Sequence, residues 1–336
     1  MKLILKRLLL ALPNLVGVIV VTFVLTRALP GDPAAYFAGA AATPEAVAQV
    51  RTQLGLDRPM FEQFLSYVSD LAKGDWGVSL ATGQSVISEL KGRLPASLEL
   101  TLFGLVLAVS VAVPLGVLAA TRPNSAWDHG VRALTTAGVS LPTFFTGLLL
   151  VYVFYYKLGW APSPSGRIDA FVSSPPTVTG FYIIDSLIAG DFTALWASIK
   201  QLILPAGTLA LFVLAPLARM TRASMLGVLS SDFIRTARAS GLTPMTVLYT
   251  YALRNALLPV LTTLGMVFSF LLGSNVLVEK VFAWPGIGSF AIESLVASDY
   301  APVQGFVLSM ALLYVLLNLL IDLAYTWLDP RIALEG

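Results

Sequence analysis

The chain has no cysteine and a single histidine, His129, among its 336 residues. Disulfides, a thiol nucleophile and cysteine metal sites are therefore excluded. One histidine cannot supply an H-E-x-x-H zinc motif or any other histidine-based metal site by itself. Charge is scarce as well: 12% of residues are Asp, Glu, Lys or Arg, about half the share of a soluble domain. No G-x-x-x-x-G-K-[ST] loop occurs, so the chain has no phosphate cradle for hydrolysing ATP. No G-x-S-x-G elbow is present either. What the chain has instead is apolar sequence, with 57% hydrophobic residues and a mean hydropathy of +0.80.

The apolar residues fall into six runs free of charge: Leu8–Thr26 (19 residues), Leu100–Thr121 (22), Ala133–Tyr156 (24), Gln201–Ala218 (18), Asn255–Val278 (24) and Ala301–Ile321 (21). A helix needs about 20 apolar residues to cross a bilayer core of roughly 30 Å. Backbone groups in lipid must pair internally, which makes each run a helix. Six such runs exceed what a soluble core would bury. None contains the paired acids that an intramembrane aspartyl protease needs. The first run follows Lys2, Lys6 and Arg7, as a signal peptide would, but no small-x-small cleavage site follows it. It is read as a retained first helix. The expectation is an all-α polytopic membrane protein with six transmembrane helices.

Orientation follows from the charges. Residues 1–7, 122–132 and 219–254 hold ten Lys or Arg against two acids, Asp128 and Asp232, whereas residues 27–99 hold six basic residues and eight acids. Basic loops favour the cytoplasmic side, which places both termini in the cytoplasm. The external region after the first helix opens a helix at Thr43 and Glu45 and is cut into short pieces by Gly55, Pro59, Gly74 and Gly77. A second external region, 158–200, starts rich in Pro, Ser and Gly and continues as a short surface helix over "FYIIDSLIAGDFTALWASIK". In the third, 279–300, Phe282, Trp284 and Tyr300 suit interfacial anchors. Alternatively, Pro285, Gly286 and Gly288 bend a re-entrant element near the pathway.

The loop between the fourth and fifth runs carries "SDFIRTARASGLTPMTVLYTYALR". Ser231 or Asp232 caps a first short helix, Gly241 ends it, and Thr243-Pro244 starts a second, with Met245, Leu248, Tyr249 and Leu253 on one face. The result is a knob, apolar on one side and basic on the other. Docking of a partner protein and contact with anionic lipid are both open for such a knob. Nucleic-acid binding is not favoured, for lack of lysines and an aromatic platform.

The stretch "RTARASG" resembles the coupling loop of ABC-transporter membrane subunits, whose pattern is Glu-Ala-Ala, three residues, then Gly. Arg235 stands at the Glu position, Thr236 and Ala237 follow, and Gly241 matches. Further segments are similar to the permeases for dipeptides, oligopeptides and nickel, to the first (B-type) of their two paired membrane subunits. These include "RLLLALPNLVGVIVVTFVLTRALPGDP" (7–33), "LGLDRPMFEQFLSYVSDLAKGDWGVSL" (54–80), "GQSVISELKGRLPASLELTL" (83–102), "VFAWPGIGSFAIESLVASDYAPVQG" (281–305) and "LLIDLAYTWLDPRI" (319–332).

The resemblance implies a type I ABC importer permease in a bacterial inner membrane. Its partners would be a homologous second permease (C-type), two cytoplasmic ATPase subunits and an external solute-binding protein, around it the lipid bilayer. The chain itself would be non-catalytic and hold no cofactor, ATP and Mg being bound by the partner subunits. Residues 1–28 would be the first helix, 29–97 the external region, and 98–330 the permease core, with external regions 158–200 and 279–300 and a coupling loop at 219–258. Contact with the ATPase would fall to Arg235, Thr236, Ala237, Arg238, Gly241, Leu242 and Pro244. Pro114, Gly116 and Pro205, with Gly207, are expected flex points, since a proline inside a helix kinks it; ordinary packing irregularity is the alternative. Asp322 is read either as an ion-pair or capping partner or as a snorkelling acid. The substrate implied is short peptides, with nickel, glutathione or oligosaccharides as alternatives. A secondary transporter or channel without an ATPase is the rival from another class.

Overall fold

The computed structural model describes residues 2–28, 32–39 and 42–328. The described residues are helical, with a single isolated β-bridge between Val78 and Ser85. In chain order the helices are α1 (Lys2–Ala28), α2 (Pro33–Ala38), α3 (Pro44–Gln53), α4 (Met60–Ala72), α5 (Val86–Thr121), α6 (Ala126–Ser140) and α7 (Thr143–Leu150), the last extended by a π-helical segment, Val151–Lys157. There follow α8 (Tyr182–Ala189), α9 (Phe192–Leu229), α10 (Asp232–Ala239), a second π-helical segment Thr246–Leu253 running into α11 (Arg254–Val281), α12 (Ile287–Val296) and α13 (Tyr300–Leu328).

Four of the charge-free runs lie in single helices long and apolar enough to cross a membrane: Val86–Thr121, Phe192–Leu229, Thr246–Val281 and Tyr300–Ile321. At 1.5 Å per residue, the 38 residues of α9 extend about 57 Å, well beyond the hydrocarbon core. Two runs differ. The first lies on α1, where Leu12–Leu25 is the described apolar part. The third, expected as one helix over 133–156, is interrupted at Leu141 and Pro142 between α6 and α7. Proline disfavours the α conformation of the residue before it, and Leu141 is extended at φ −108°, ψ 141°. The side chain of Asp322 lies outside the described residues, as do residues 329–336 of the expected C-terminal segment.

The chain forms two compact units, one of residues 1–97 with 285–316, the other of 98–284 with 317–336. In the first, Phe23 of α1 meets Phe64 edge-on at 5.2 Å and stacks on Tyr67 at 5.8 Å, both on α4. The expected start of α3 is present: Thr43 accepts a hydrogen bond from the Ala46 amide at 3.3 Å. Val86 and Leu90 of α5 pack with Ile287 and Phe290 of α12. Gly305 of α13 lets this cluster close, since a Cβ there would lie 2.5 Å from Val86 Cγ1.

In the second unit α9 is the central element, packed on α6, α7, α8 and α11 and on α5. Small residues permit the approach. A Cβ on Gly104 would lie 3.0 Å from Leu209 Cβ, and one on Gly116 would lie 2.5 Å from Thr221 Cβ and 2.8 Å from the Ala218 carbonyl. The surface helix expected over 181–200 is two elements. α8 ends at Gly190 in the left-handed conformation, and Asp191 caps α9 by accepting from the Thr193 and Ala194 amides. Residues 192–200 therefore belong to the long α9.

Candidate functional site

The knob between α9 and α11 is built on an apolar base. Ile234 and Ala237 of α10 are buried against Met225 of α9, Val117 and Ala120 of α5, and Val247, Ala252 and Ala256 beyond the turn. This is one short helix followed by the start of a long one, not the expected pair of short helices. Pro244 and Met245 already have helical backbone that runs into the π-helical segment. Of the expected face, Leu248 and Leu253 pack against this cluster, but the other two residues do not. Met245 is 65% and Tyr249 51% exposed, whereas Val247 and Ala252 are buried. The widened π turn brings residues five apart onto one face, so a 3.6-residue period misassigns it.

Between the two helices, Gly241 has φ +75°, a conformation that costs other residues roughly 1–2 kcal/mol. The Leu242 amide bonds back to the Ala237 carbonyl at 3.4 Å, and Thr243 accepts from the Thr246 amide at 3.3 Å, as its expected capping role requires. Ser231 stands at the N-cap of α10, but its hydroxyl donates to the Val228 carbonyl at 2.6 Å and caps nothing.

The remaining residues of the knob divide by exposure. Arg235 is exposed and pairs with Asp232 at 3.2 Å. Thr236 donates to the Asp232 carbonyl at 3.0 Å. Arg238, Leu242 and Pro244 line one side of an open cleft of about 670 Å³, opposite Ala120, Pro123 and Leu226. The basic groups are thus presented outward on a rigid apolar floor.

A strut braces that floor. Asp128, fully buried, receives Arg222 in a bidentate pair, Nε to Oδ1 at 2.6 Å and Nη2 to Oδ2 at 2.7 Å. The Asn124 amide donates to Oδ2 at 3.0 Å, and Arg132 stands 3.8 Å away. The Arg222 hydrogen bonds, with that of Asn124, hold the Asp128 carboxyl well below the usual carboxylate range against the opposing effect of burial. His129 contributes only a contact to Arg132 at 2.6 Å.

A second buried pair fixes the segment between the π-helical end of α7 and the start of α9. Arg167 Nη2 donates to Glu99 Oε2 at 2.6 Å and to the Gly180 carbonyl at 2.7 Å, and its guanidinium lies 3.7 Å over the Tyr182 ring. Glu99 Oε1 accepts from the Ile183 amide at 2.9 Å. Asp185 then gathers Thr179 N, Thr179 Oγ1 and Gly180 N at 2.7–2.9 Å. Burial alone would raise its carboxyl, but these donors hold it below the ordinary value. Deeper in the same unit, Asn275 donates to Thr101 and to Glu279, both at 3.1 Å.

Among the helix positions, Pro114 is exposed on α5, Gly116 lies in the tight contact with Thr221, and Pro205 is buried in α9, which also contains Pro216. In the segment 279–300, Phe282 and Trp284 are 3% and 1% exposed. They are core residues, not interfacial anchors. The bend is carried by Ala283 at φ 50°, not by the expected glycines. Pro285 follows Trp284. Gly286 has φ −96° and begins α12, and Gly288 is buried within it. Ser97 accepts from the Ile287 amide at 2.9 Å.

Asp128 with Arg222 and Glu99 with Arg167 lie 94 and 68 residues apart, and no local pattern marks either pair. Among the described residues no group of three His, Asp or Glu side chains is placed to hold a metal ion.

Two family descriptions cover almost the whole sequence. Residues 112–334 match the binding-protein-dependent transport system inner membrane component, and residues 1–101 match the N-terminal part of such membrane components. The chain is 45% identical over 320 residues to a probable D,D-dipeptide transport system permease protein of Escherichia coli, covering 95% of this chain and 94% of the relative. It is 42% identical over 330 residues to a dipeptide transport system permease protein of Alkalihalophilus pseudofirmus, covering 97% and 98%. A di/tripeptide transport system permease protein of Pseudomonas aeruginosa is 42% identical over 328 residues, covering 97% of each chain.

Proposed function

This chain belongs to the inner membrane components of binding-protein-dependent transport systems, and on that premise we propose that it is the permease subunit of an ATP-driven importer of di- or oligopeptides. The similarity to peptide permeases along nearly the full length of both chains supports the substrate class. The chain is a non-catalytic membrane subunit. In this reading six helices cross the membrane, both termini are cytoplasmic, and the chain pairs with a second, homologous permease. Two ATPase subunits bind the cytoplasmic side, and a solute-binding protein delivers peptide from outside.

The observation that carries the mechanism is the way α10 is seated. Its buried residues Ile234 and Ala237 share one apolar cluster with α5, α9 and the segment leading into α11. Its outer face presents Arg235, Thr236 and Arg238, and Gly241, Leu242 and Pro244 form the turn beside it. An ATPase gripping the outer face displaces α10. Close-packed apolar contacts transmit that displacement because they deform little, and three helices move with it. Access to a peptide site then switches from one side of the membrane to the other without any bond being broken in this chain. Pro114, Gly116 and Pro205 mark where α5 and α9 bend, and the turn at Ala283, with Pro285 and Gly286 leading into α12 and Gly288 inside it, lies beside the external opening.

The test is reconstitution with the co-expressed permease, ATPase and binding-protein partners. ATP hydrolysis is followed with and without binding protein loaded from a panel of di- to hexapeptides. Peptide-dependent stimulation that Gly241→Pro abolishes, with the complex still assembled, is the expected result. An assembled complex indifferent to every peptide would remove the peptide assignment. A folded chain that binds no ATPase would overturn the reading.

A further inference from the structure

One face of α9 forms part of an open apolar groove. The groove measures about 360 Å³ and is lined by Leu107 of α5, Leu150 and Phe154 of α7 and its π-helical extension, and Ile203, Gly207 and Leu214 of α9. From Ile203 to Leu214 a helix rises about 16 Å, close to the depth of one leaflet of a hydrocarbon core roughly 30 Å thick. Gly207 leaves the groove open at mid-depth, where an added Cβ would meet nothing within 4 Å.

The end of the groove nearest the 158–190 region carries charge. Lys200 lies less than a turn before Ile203 on the same face of α9, and Lys157 ends the π-helical segment that follows Leu150. Lys200 Nζ stands 5.5 Å from the Trp196 ring and Lys157 Nζ 5.7 Å from the Tyr152 ring. Both lysines are exposed, and among the described residues neither meets a carboxylate. Tyr156 and Trp160, at 71% and 75% exposure, belong to the same helix end, and such aromatic side chains favour the depth of the lipid headgroups. Lysine stems can lie along an apolar surface while the ammonium reaches the interface.

We propose that this groove holds one acyl chain of an anionic phospholipid, with Lys157 and Lys200 pairing with its headgroup. An apolar channel of leaflet depth, headed by two unneutralised cations among interfacial aromatics, matches that chemistry at both ends. A helix of another membrane subunit would complement the apolar wall, but an apolar helix would leave both lysines without a counter-charge.

The full chain, purified with its co-expressed partner subunits from membranes containing phosphatidylglycerol, is analysed by native mass spectrometry. It is then exchanged into mixed phosphatidylglycerol and phosphatidylcholine nanodiscs. The wild-type chain retains phosphatidylglycerol at least fivefold over phosphatidylcholine. Lys157→Gln with Lys200→Gln loses the preference while still retaining one lipid. Gly207→Leu, whose Cβ meets no atom within 4 Å and whose side chain occupies the groove, loses the retained lipid with thermal stability unchanged or raised. Equal retention by wild type and Gly207→Leu overturns the proposal. So does an efficient cross-link from a cysteine placed at 207 to a helix of a partner subunit, which would assign the groove to protein. Thermal unfolding of each variant separates loss of lipid from loss of fold.

Discussion

Arg222 of α9 grips Asp128 at the start of α6 through two hydrogen bonds of 2.6 and 2.7 Å, across 94 residues of chain. The pair joins the short basic loop 122–132 to the inner part of α9, just before α10. Asp128→Asn or Arg222→Leu removes one charge and leaves its partner exposed to the unfavourable side of burial. Either substitution should lower the unfolding temperature by at least roughly 2–4 °C and uncouple peptide-stimulated from basal ATP hydrolysis. Arg222→Lys should do less harm to stability than Arg222→Leu, but it cannot restore the bidentate geometry. Thermal scanning and ATPase assays on the same preparations check both expectations.

The same pair sets an acid limit. Because Asp128 is held below its ordinary value in the folded chain, its contribution to stability is fully present above the unfolded carboxylate value near 4. That contribution is lost as pH falls through the lower folded value. Wild-type stability should therefore decline below about pH 4 more steeply than that of Asp128→Asn, measured as unfolding temperature against pH. Parallel curves would count against the pair as the cause.

Gly241 should tolerate replacement in the order the left-handed region dictates. Gly241→Asn is expected to be milder than Gly241→Ala, which costs about 1–2 kcal/mol, and Gly241→Pro, whose fixed φ is incompatible with +75°, should be worst. An added Cβ meets nothing within 4 Å, so the cost is backbone strain and not collision. Peptide-stimulated hydrolysis across the three variants should follow that ranking.

The contact of α5 with α9 at Gly116 should be sensitive in the opposite way. Gly116→Ala places a Cβ against Thr221 and the Ala218 carbonyl, and overpacking of this kind costs typically 1–3 kcal/mol. Gly207→Ala, on the open side of α9, should be neutral or stabilising by about 0.5–1 kcal/mol from helix propensity. Thermal unfolding in nanodiscs distinguishes the two.

Breaking the Glu99–Arg167 pair should loosen one segment before the whole. Glu99→Gln or Arg167→Met frees residues 167–183 from their shared buried anchor. Loss of one partner of a buried pair costs about 3–5 kcal/mol. Limited proteolysis should cut within this segment in either single variant. The double variant Glu99→Leu with Arg167→Met should recover part of the protection, because no charge is left buried alone.

Composition and charge runs by themselves determined that this is a helical membrane protein. The four long spans follow from them because the length and apolarity that lipid demands are local properties of sequence. The glycine turn at 241 and the capping threonines at 43 and 243 were equally legible, since each depends on a few neighbouring residues. Only the tertiary structure decided what those helices do to one another. Pro142 breaks a run that composition presents as continuous. A π-helical segment rotates Val247 and Ala252 inward in place of Met245 and Tyr249. Trp284, an aromatic expected at the interface, is buried. The ion pairs of Asp128 and Glu99 join residues whose proximity exists only once α9 is packed. Charge complementarity over 68 or 94 residues leaves no periodic trace, because it is created by the fold and not by the local chain.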